Sequence, residues 1–239
     1  MNSTGVIFRK ELKSYFNSPI AYIVILAFLG VTHWLFFRTF FLANQSNLRP
    51  FFSLLPWIFL FLGPAITMRA WAEEKKLGTI EVLMTFPVRE REAVLGKFLA
   101  AFLFLIITLC LTISLPLTVV FIGHPDPGPI WGGYLGACLL GGCYLAIGLF
   151  ASSLTENQIV AFILAIVLCF ALLVIGEDFV LFSMPAALVP ICTYLGLGAH
   201  FESIGRGVID LRDIIYYLSI ISFFLFLNQL ALESRKWRP

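Results

Sequence analysis

Six apolar runs organise the chain, at residues 20–41, 51–68, 93–122, 131–154, 159–176 and 214–232. Each is near the ~20 residues that a helix needs to cross roughly 30 Å of hydrocarbon. The pattern predicts an all-α integral membrane protein with six transmembrane helices. The third run is the longest and contains Pro116, which predicts a kink or tilt within it. A removable signal peptide does not fit: the polar stretch ahead of the first run is long, the run is full length, and no convincing small-residue cleavage site follows it.

A further apolar stretch at 179–201 is long enough to be a seventh crossing, but Pro185 and Pro190 interrupt it and Gly196 and Gly198 follow. It reads better as two short half-helices that dip in and out while packed against protein. Charge decides the count. With six crossings, one side holds Arg9, Lys10, Lys13, Arg69, Lys75, Lys76, Arg89, Arg91, Lys97, Arg235, Lys236 and Arg238, twelve of the sixteen basic residues. The other side keeps Arg38, Arg49, Arg206 and Arg212. A seventh crossing would export the three basic residues at the C-terminus, against the cytoplasmic bias of Lys and Arg. The expectation is six spans, both termini cytoplasmic, and a re-entrant segment over 179–205, all within one transmembrane domain covering 1–239.

Composition agrees. Of 239 residues 60% are hydrophobic and only 13% charged, with a mean hydropathy of +0.95, whereas a globular domain carries about 25% charged residues. A formal charge of +2 excludes a nucleic-acid binder, which needs a dense cationic face. Cys110, Cys138, Cys143, Cys169 and Cys192 all lie in apolar runs and are odd in number. They read as small hydrophobes at helix contacts, with neither a disulfide framework nor a metal site expected.

Equally informative is what the spans lack. His33 is the only titratable side chain well inside one, which reads as an interhelical hydrogen-bonding group. Arg38 sits at a helix end, where it can snorkel, and Glu177 and Asp178 follow the fifth span. A carrier coupled to an ion gradient usually needs intramembrane charge. No zinc-binding His-Glu-x-x-His, nucleophile turn or P-loop occurs, so no catalytic residues are expected. Glu73-Glu74 does not make a membrane protease, because His33, His124 and His200 are scattered. The fourth run is rich in small residues, with Gly132, Gly136, Ala137, Gly141, Gly142, Ala146 and Gly148. They fit tight packing inside the bundle, or else a flexing or subunit-contacting helix.

The longest polar stretch is 69–92, RAWAEEKKLGTIEVLMTFPVRERE. Arg69 and Glu73 stand four apart, as on a helix continuing out of the membrane; Gly78 can end that helix and Thr79 can cap a new one. Ile80, Val82, Leu83, Met84 and Phe86 then make an apolar stretch before Pro87. Charge around it is balanced, which favours a groove on a partner over a lipid surface.

The run from Ala72 to Leu83, closing with Pro87-Val88, resembles the loop between spans two and three of type-2 ABC exporter permeases. Phe8 to Phe16, ahead of Ser18-Pro19, looks like that family's amphipathic interfacial helix, here over 1–19. His200-Phe201, Arg206 to Asp210, and Arg212-Asp213 before Tyr216-Tyr217 are similar to the family's gliding-motility branch. The resemblance implies a transmembrane permease subunit whose coupling helix, through Gly78, Thr79, Ile80, Glu81, Val82, Leu83 and Met84, meets a separate cytoplasmic ABC ATPase present in two copies. Glu73 and Glu74 would hold the preceding helix or pair with that subunit. ATP and Mg would sit on the ATPase, with no cofactor on this chain. A second permease copy or paralogue, and an accessory membrane protein with an extracytoplasmic domain, would complete the complex in the bacterial inner membrane.

The outer segment, 177–213, carries His200, Glu202, Arg206, Asp210, Arg212 and Asp213. This mixed polarity suits substrate exit or partner docking, or equally ion pairs that tie the re-entrant helices to span six. Beside an ATP-driven exporter or mechanical device stand two other readings: a membrane scaffold without transport, and, less favoured, an ion-coupled carrier.

Overall fold

In the computed structural model, which describes residues 3–43, 47–80, 89–123 and 125–234, every regular element is helical. In chain order these are α1 (Ser3–Asn17), α2 (Pro19–Ala43), α3 (Arg49–Thr67), α4 (Ala72–Lys76), α5 (Glu90–Cys110), a 3-10 turn (Leu111–Ile113), α6 (Ser114–Ile122), α7 (Pro127–Leu154), α8 (Gln158–Val174), α9 (Asp178–Leu181), α10 (Val189–Leu195), α11 (Leu197–Gly205) and α12 (Leu211–Glu233). Polar punctuation starts the long helices. Asp126, Asn157 and Asp210 each accept a hydrogen bond from the backbone N–H two residues on, and so cap α7, α8 and α12.

Five stretches are long and apolar enough to cross a membrane: Pro19–Leu42, Arg49–Lys76, Glu90–Ile122, Pro127–Leu154 and Leu211–Glu233. The run expected as the fifth span forms α8, whose 17 residues reach only about 25 Å. It still connects the end of the bundle that carries α1 and α4, here the base, to the opposite end, the crown, which holds α9 to α11. The last turns of α12 approach the base: the Arg91 guanidinium at the start of α5 donates to the Gln229 side chain near the end of α12, at 3.0 Å.

At the centre stands α7, the most buried crossing, with 78% of its span inside the protein against 28% for α2 and for α12. It packs on α3, α5, α8, α11 and α12. The burial contrast leaves α2 and α12 with broad apolar faces turned outward, as a membrane protein allows.

The third run stays one continuous helical stretch, Glu90–Ile122, but changes its winding just ahead of its proline. Pro116 has no N–H for the Thr112 carbonyl four residues back, and the helix tightens into the 3-10 turn just ahead of it. Tyr134 of α7 takes up the freed group: its hydroxyl lies 2.9 Å from the Thr112 hydroxyl and donates to the Thr112 carbonyl at 3.3 Å. Beyond the turn, His33 of α2 donates through Nδ1 to the Leu29 carbonyl at 2.8 Å and holds Ser114 through Nε2 at 2.7 Å. Where two half-helices are expected at 179–201, three short helices form, and even the longest, with nine residues, covers only about 14 Å.

The N-terminal helix lies along the first turns of α5. Ile7 packs at Gly96, Glu11 reaches Lys97, and Tyr15 stacks on Phe104 with ring centroids 5.2 Å apart. Tyr15 also donates to the Ile66 carbonyl at 3.1 Å. Burial, and secondarily Glu11, pushes its phenol above the ordinary range.

Candidate functional site

The base of the bundle gathers the groups that root the polar loop after α3. The helix does not run on unbroken: α3 stops at Thr67, residues 68–71 turn, and α4 follows. A turn that buries backbone N–H groups needs acceptors. Ser152, fully buried near the end of α7, supplies one: its hydroxyl oxygen accepts from the Trp71 and Ala72 N–H groups, each at 3.1 Å, and its hydrogen goes to the Met68 carbonyl at 3.0 Å. One turn on, the Lys75 ammonium donates to the Ser153 carbonyl.

A buried cation completes the fastening. Lys97, 2% exposed, sits in the second turn of α5 and donates to Glu11 of α1 and Glu74 of α4, each at 2.9 Å. Its ammonium also lies 4.8 Å from the centroid of the fully buried Trp71 ring. Two carboxylates against one ammonium leave an excess negative charge, which Lys10 offsets at 3.6 Å from Glu74. A buried ammonium persists only when paired in this way. The cluster joins α1, α4 and α5, and Ser152 with Ser153 adds α7.

Gly78 ends α4 with φ of +69°, a left-handed conformation that costs a residue with a Cβ about 1–2 kcal/mol. Thr79 does not cap forward among the described residues; its hydroxyl donates back to the Glu74 carbonyl at 3.3 Å. Ile80, expected to face a partner, is 7% exposed and belongs to the core. Gly78 and Thr79 remain on the surface. Glu81, Val82, Leu83 and Met84 lie outside the described residues.

At the crown, the named residues divide. His200 of α11 and Asp213 of α12 meet at 2.7 Å, and His200 Nε2 donates to the Tyr194 carbonyl at 2.9 Å. The imidazole stacks on Tyr216 with centroids 4.0 Å apart. Tyr216 and Tyr217 donate to the Leu195 and Leu197 carbonyls at 2.5 and 2.7 Å, pinning the α10–α11 junction to α12. Asp210 caps α12. Glu202, Arg206 and Arg212 form no ion pair among the described residues. Glu202 and Arg206 line a 450 Å³ cavity with Arg49, Glu177 and Asp178. Burial, then Asp178 and Glu202, holds the Glu177 carboxyl above its usual value.

The small residues of α7 are contact points inside the chain. A Cβ on Gly132 would stand 2.5 Å from the Ile204 carbonyl oxygen. Gly136 faces Phe201 and Ile204, Gly141 faces Leu105 and Phe59, and Gly142 faces Ile221 and Phe102. Among the described residues no cluster of His, Cys, Asp or Glu could hold a metal. Lys97, Glu11, Trp71 and Ser152 were not singled out as site residues from sequence. A lone lysine four residues into an apolar run is the signal that points to such a cluster.

Compared with known families, the model of the ABC-2 family transporter protein matches residues 7–238. No curated protein matches the chain.

Proposed function

The chain belongs to the ABC-2 family of transporter proteins, and on that premise we propose that it couples ATP hydrolysis by a separate ATPase to export, or to mechanical work, across the bacterial inner membrane. Family membership makes it a multi-pass membrane component of an ABC transporter rather than the ATPase itself, and implies an ABC ATPase as partner. The finer assignment is our reading. In it the termini and the base face the cytoplasm, α8 completes a set of six spans, α1 is the interfacial helix, and two ATPase copies serve two permeases. His200 to Asp213 at the crown serve an extracytoplasmic accessory partner or exit gate, as in the gliding-motility branch.

One observation supports the coupling role above others: the root of the loop, residues 71–75, is fastened to α1, α5 and α7 by Lys97, Ser152 and Lys75. A lever acts on a bundle only through a stiff root. Gly78, Thr79 and the stretch Glu81 to Met84 then meet the ATPase, Ile80 anchors the stretch inward, and Glu73 and Glu74 hold α4. A push on this root re-packs α5 and α7 together.

The test is co-purification. Leu83→Asp and Glu81→Lys should abolish recovery of the ATPase with the permease while leaving membrane insertion and thermal stability unchanged. Full recovery of an active complex from both variants would refute the placement.

A further inference from the structure

The outward surface of α1 carries charge that the base cluster does not use. The helix holds Arg9, Lys10 and Lys13 against a single acid, Glu11, and Glu11 and Glu74 are taken up by Lys97 and Lys10. Arg9 and Lys13 are exposed, and neither forms an ion pair among the described residues. At 3.6 residues per turn, positions four apart form neighbouring rows along a helix. Ile7, Glu11 and Tyr15 face α5. Next round the helix come Phe8, Leu12 and Phe16, apolar and only half-buried; beyond them stand Arg9, Lys13 and Asn17, all exposed.

Two observations set this helix at the edge of the bilayer. Its contacts on α5 run from Gly96 to Phe104, inside the candidate span Glu90–Ile122, and it ends at Asn17, just ahead of Pro19, where the first span begins. Tyr22, in the first turn of that span, is 51% exposed and donates its hydroxyl to the Phe16 carbonyl at 2.9 Å. An amphipathic ring so placed sits at headgroup level. A half-covered apolar row beside a cationic one suits a helix whose apolar side enters the acyl boundary while its cations reach toward water.

We propose that this face of α1 binds anionic phospholipid headgroups, with Arg9 and Lys13 each against a lipid phosphate and Phe8 and Leu12 in the acyl boundary beside them. The inference rests on α1 being the interfacial helix and is independent of the coupling loop. Charge complementarity selects the lipid. Each Lys or Arg near an anionic leaflet is worth about fivefold in binding, and a zwitterionic leaflet has no net charge to offer. An acidic protein surface would match the cations alone; the apolar row and Tyr22, beside the starts of two spans, match a lipid surface. Glu11 projects from the opposite side of the helix, so headgroups on the outward row leave the Lys97 cluster intact.

The test is amide hydrogen exchange on the full-length chain in nanodiscs of phosphatidylcholine, with and without an equal share of phosphatidylglycerol. Phosphatidylglycerol should slow exchange over residues 3–17 by about fivefold for each of the two cations and leave α7 unchanged. The gain should largely vanish in about 1 M salt, where the Debye length is ~3 Å, and in the double variant Arg9→Gln with Lys13→Gln. The charge-preserving pair Arg9→Lys with Lys13→Arg should keep it, and inorganic phosphate added to phosphatidylcholine discs should not reproduce it. Discs expose both leaflets, so the result holds whichever way the base faces, and Leu83→Asp, which tests the ATPase contact, should leave it untouched. Equal exchange in the two discs, a gain undiminished in the double Gln variant, or a gain lost equally in the charge-preserving pair would each overturn the proposal. So would slowing that an added ATPase subunit gives and phosphatidylglycerol does not, which would assign the face to a protein. Should the double Gln variant fail to fold, the lipid and salt series on the unmodified chain still decides it.

Discussion

Replacing Lys97 by Met removes the buried cation that bridges Glu11 and Glu74 inside the base. In the intact protein each carboxylate oxygen stands 2.9 Å from the ammonium, which is 2% exposed. Without it two carboxylates converge on an apolar side chain, with the 65% exposed Lys10, 4.0 Å from Glu11 and 3.6 Å from Glu74, for compensation. Breaking a buried pair in this way costs about 3–5 kcal/mol. At about 2–4 °C per kcal/mol for a chain of this size, the thermal midpoint should drop by roughly 6–20 °C. The assay is size-exclusion recovery after heating in detergent. The control is a triple variant, Lys97→Met with Glu11→Gln and Glu74→Gln, which removes the uncompensated charge and should recover at least half of the loss. A midpoint within about 1 °C of the parent for Lys97→Met, or a triple variant no better than the single one, would refute the account of the base as a charge-closed cluster.

Other outcomes follow from single contacts. Ser152→Ala strands the Trp71 and Ala72 N–H groups in a buried turn. It should cost about 1–3 kcal/mol, seen as a lower midpoint and faster protease cutting within 72–80. Gly132→Val places a methine carbon 2.5 Å from the Ile204 carbonyl; since backbone cannot swing aside, α11 should detach, and a cysteine placed at Ile204 should become reactive to maleimide. Glu177→Gln should raise the midpoint at pH 8 and lose that gain on acidification. The sign follows because the folded carboxyl titrates above its ordinary 4.5, so folding is favoured below that value and the advantage disappears as pH rises through the folded one. A gain that grew on acidification would contradict it.

Much of the architecture was readable from hydrophobic periodicity, because helices in lipid must satisfy their own backbone. Five of six runs became helices long and apolar enough to cross a membrane, and Pro116 marked the 3-10 turn in the third for the reason its missing N–H dictates. Gly78 marked the end of α4 because only a residue without Cβ takes φ of +69° cheaply. Three features were not readable. The cluster at Lys97 draws on Glu11, 86 positions away, and Glu74, 23 away, and no local pattern pairs such residues. Ile80 reads as an exposed apolar tooth until tertiary contacts turn it inward. The run at 159–176 gave a helix of only 17 residues, because Asn157 caps its start and Gly176 leaves it for the crown.

The 3-10 turn at Leu111–Ile113 divides the third run into two rods of unequal length. From Lys97 to Leu111 is about 21 Å along the axis, and the nine residues of α6 reach about 13 Å beyond. Pro116 removes a rung of the ladder at that point, and Tyr134 of α7 holds the carbonyl it leaves free, so flexing there costs that contact rather than a helical bond. For a rigid lever pivoting at that turn, a displacement at the buried ammonium would arrive at the far end of α6 scaled down by roughly two-fifths, and His33 of the neighbouring helix holds Ser114 just beyond it.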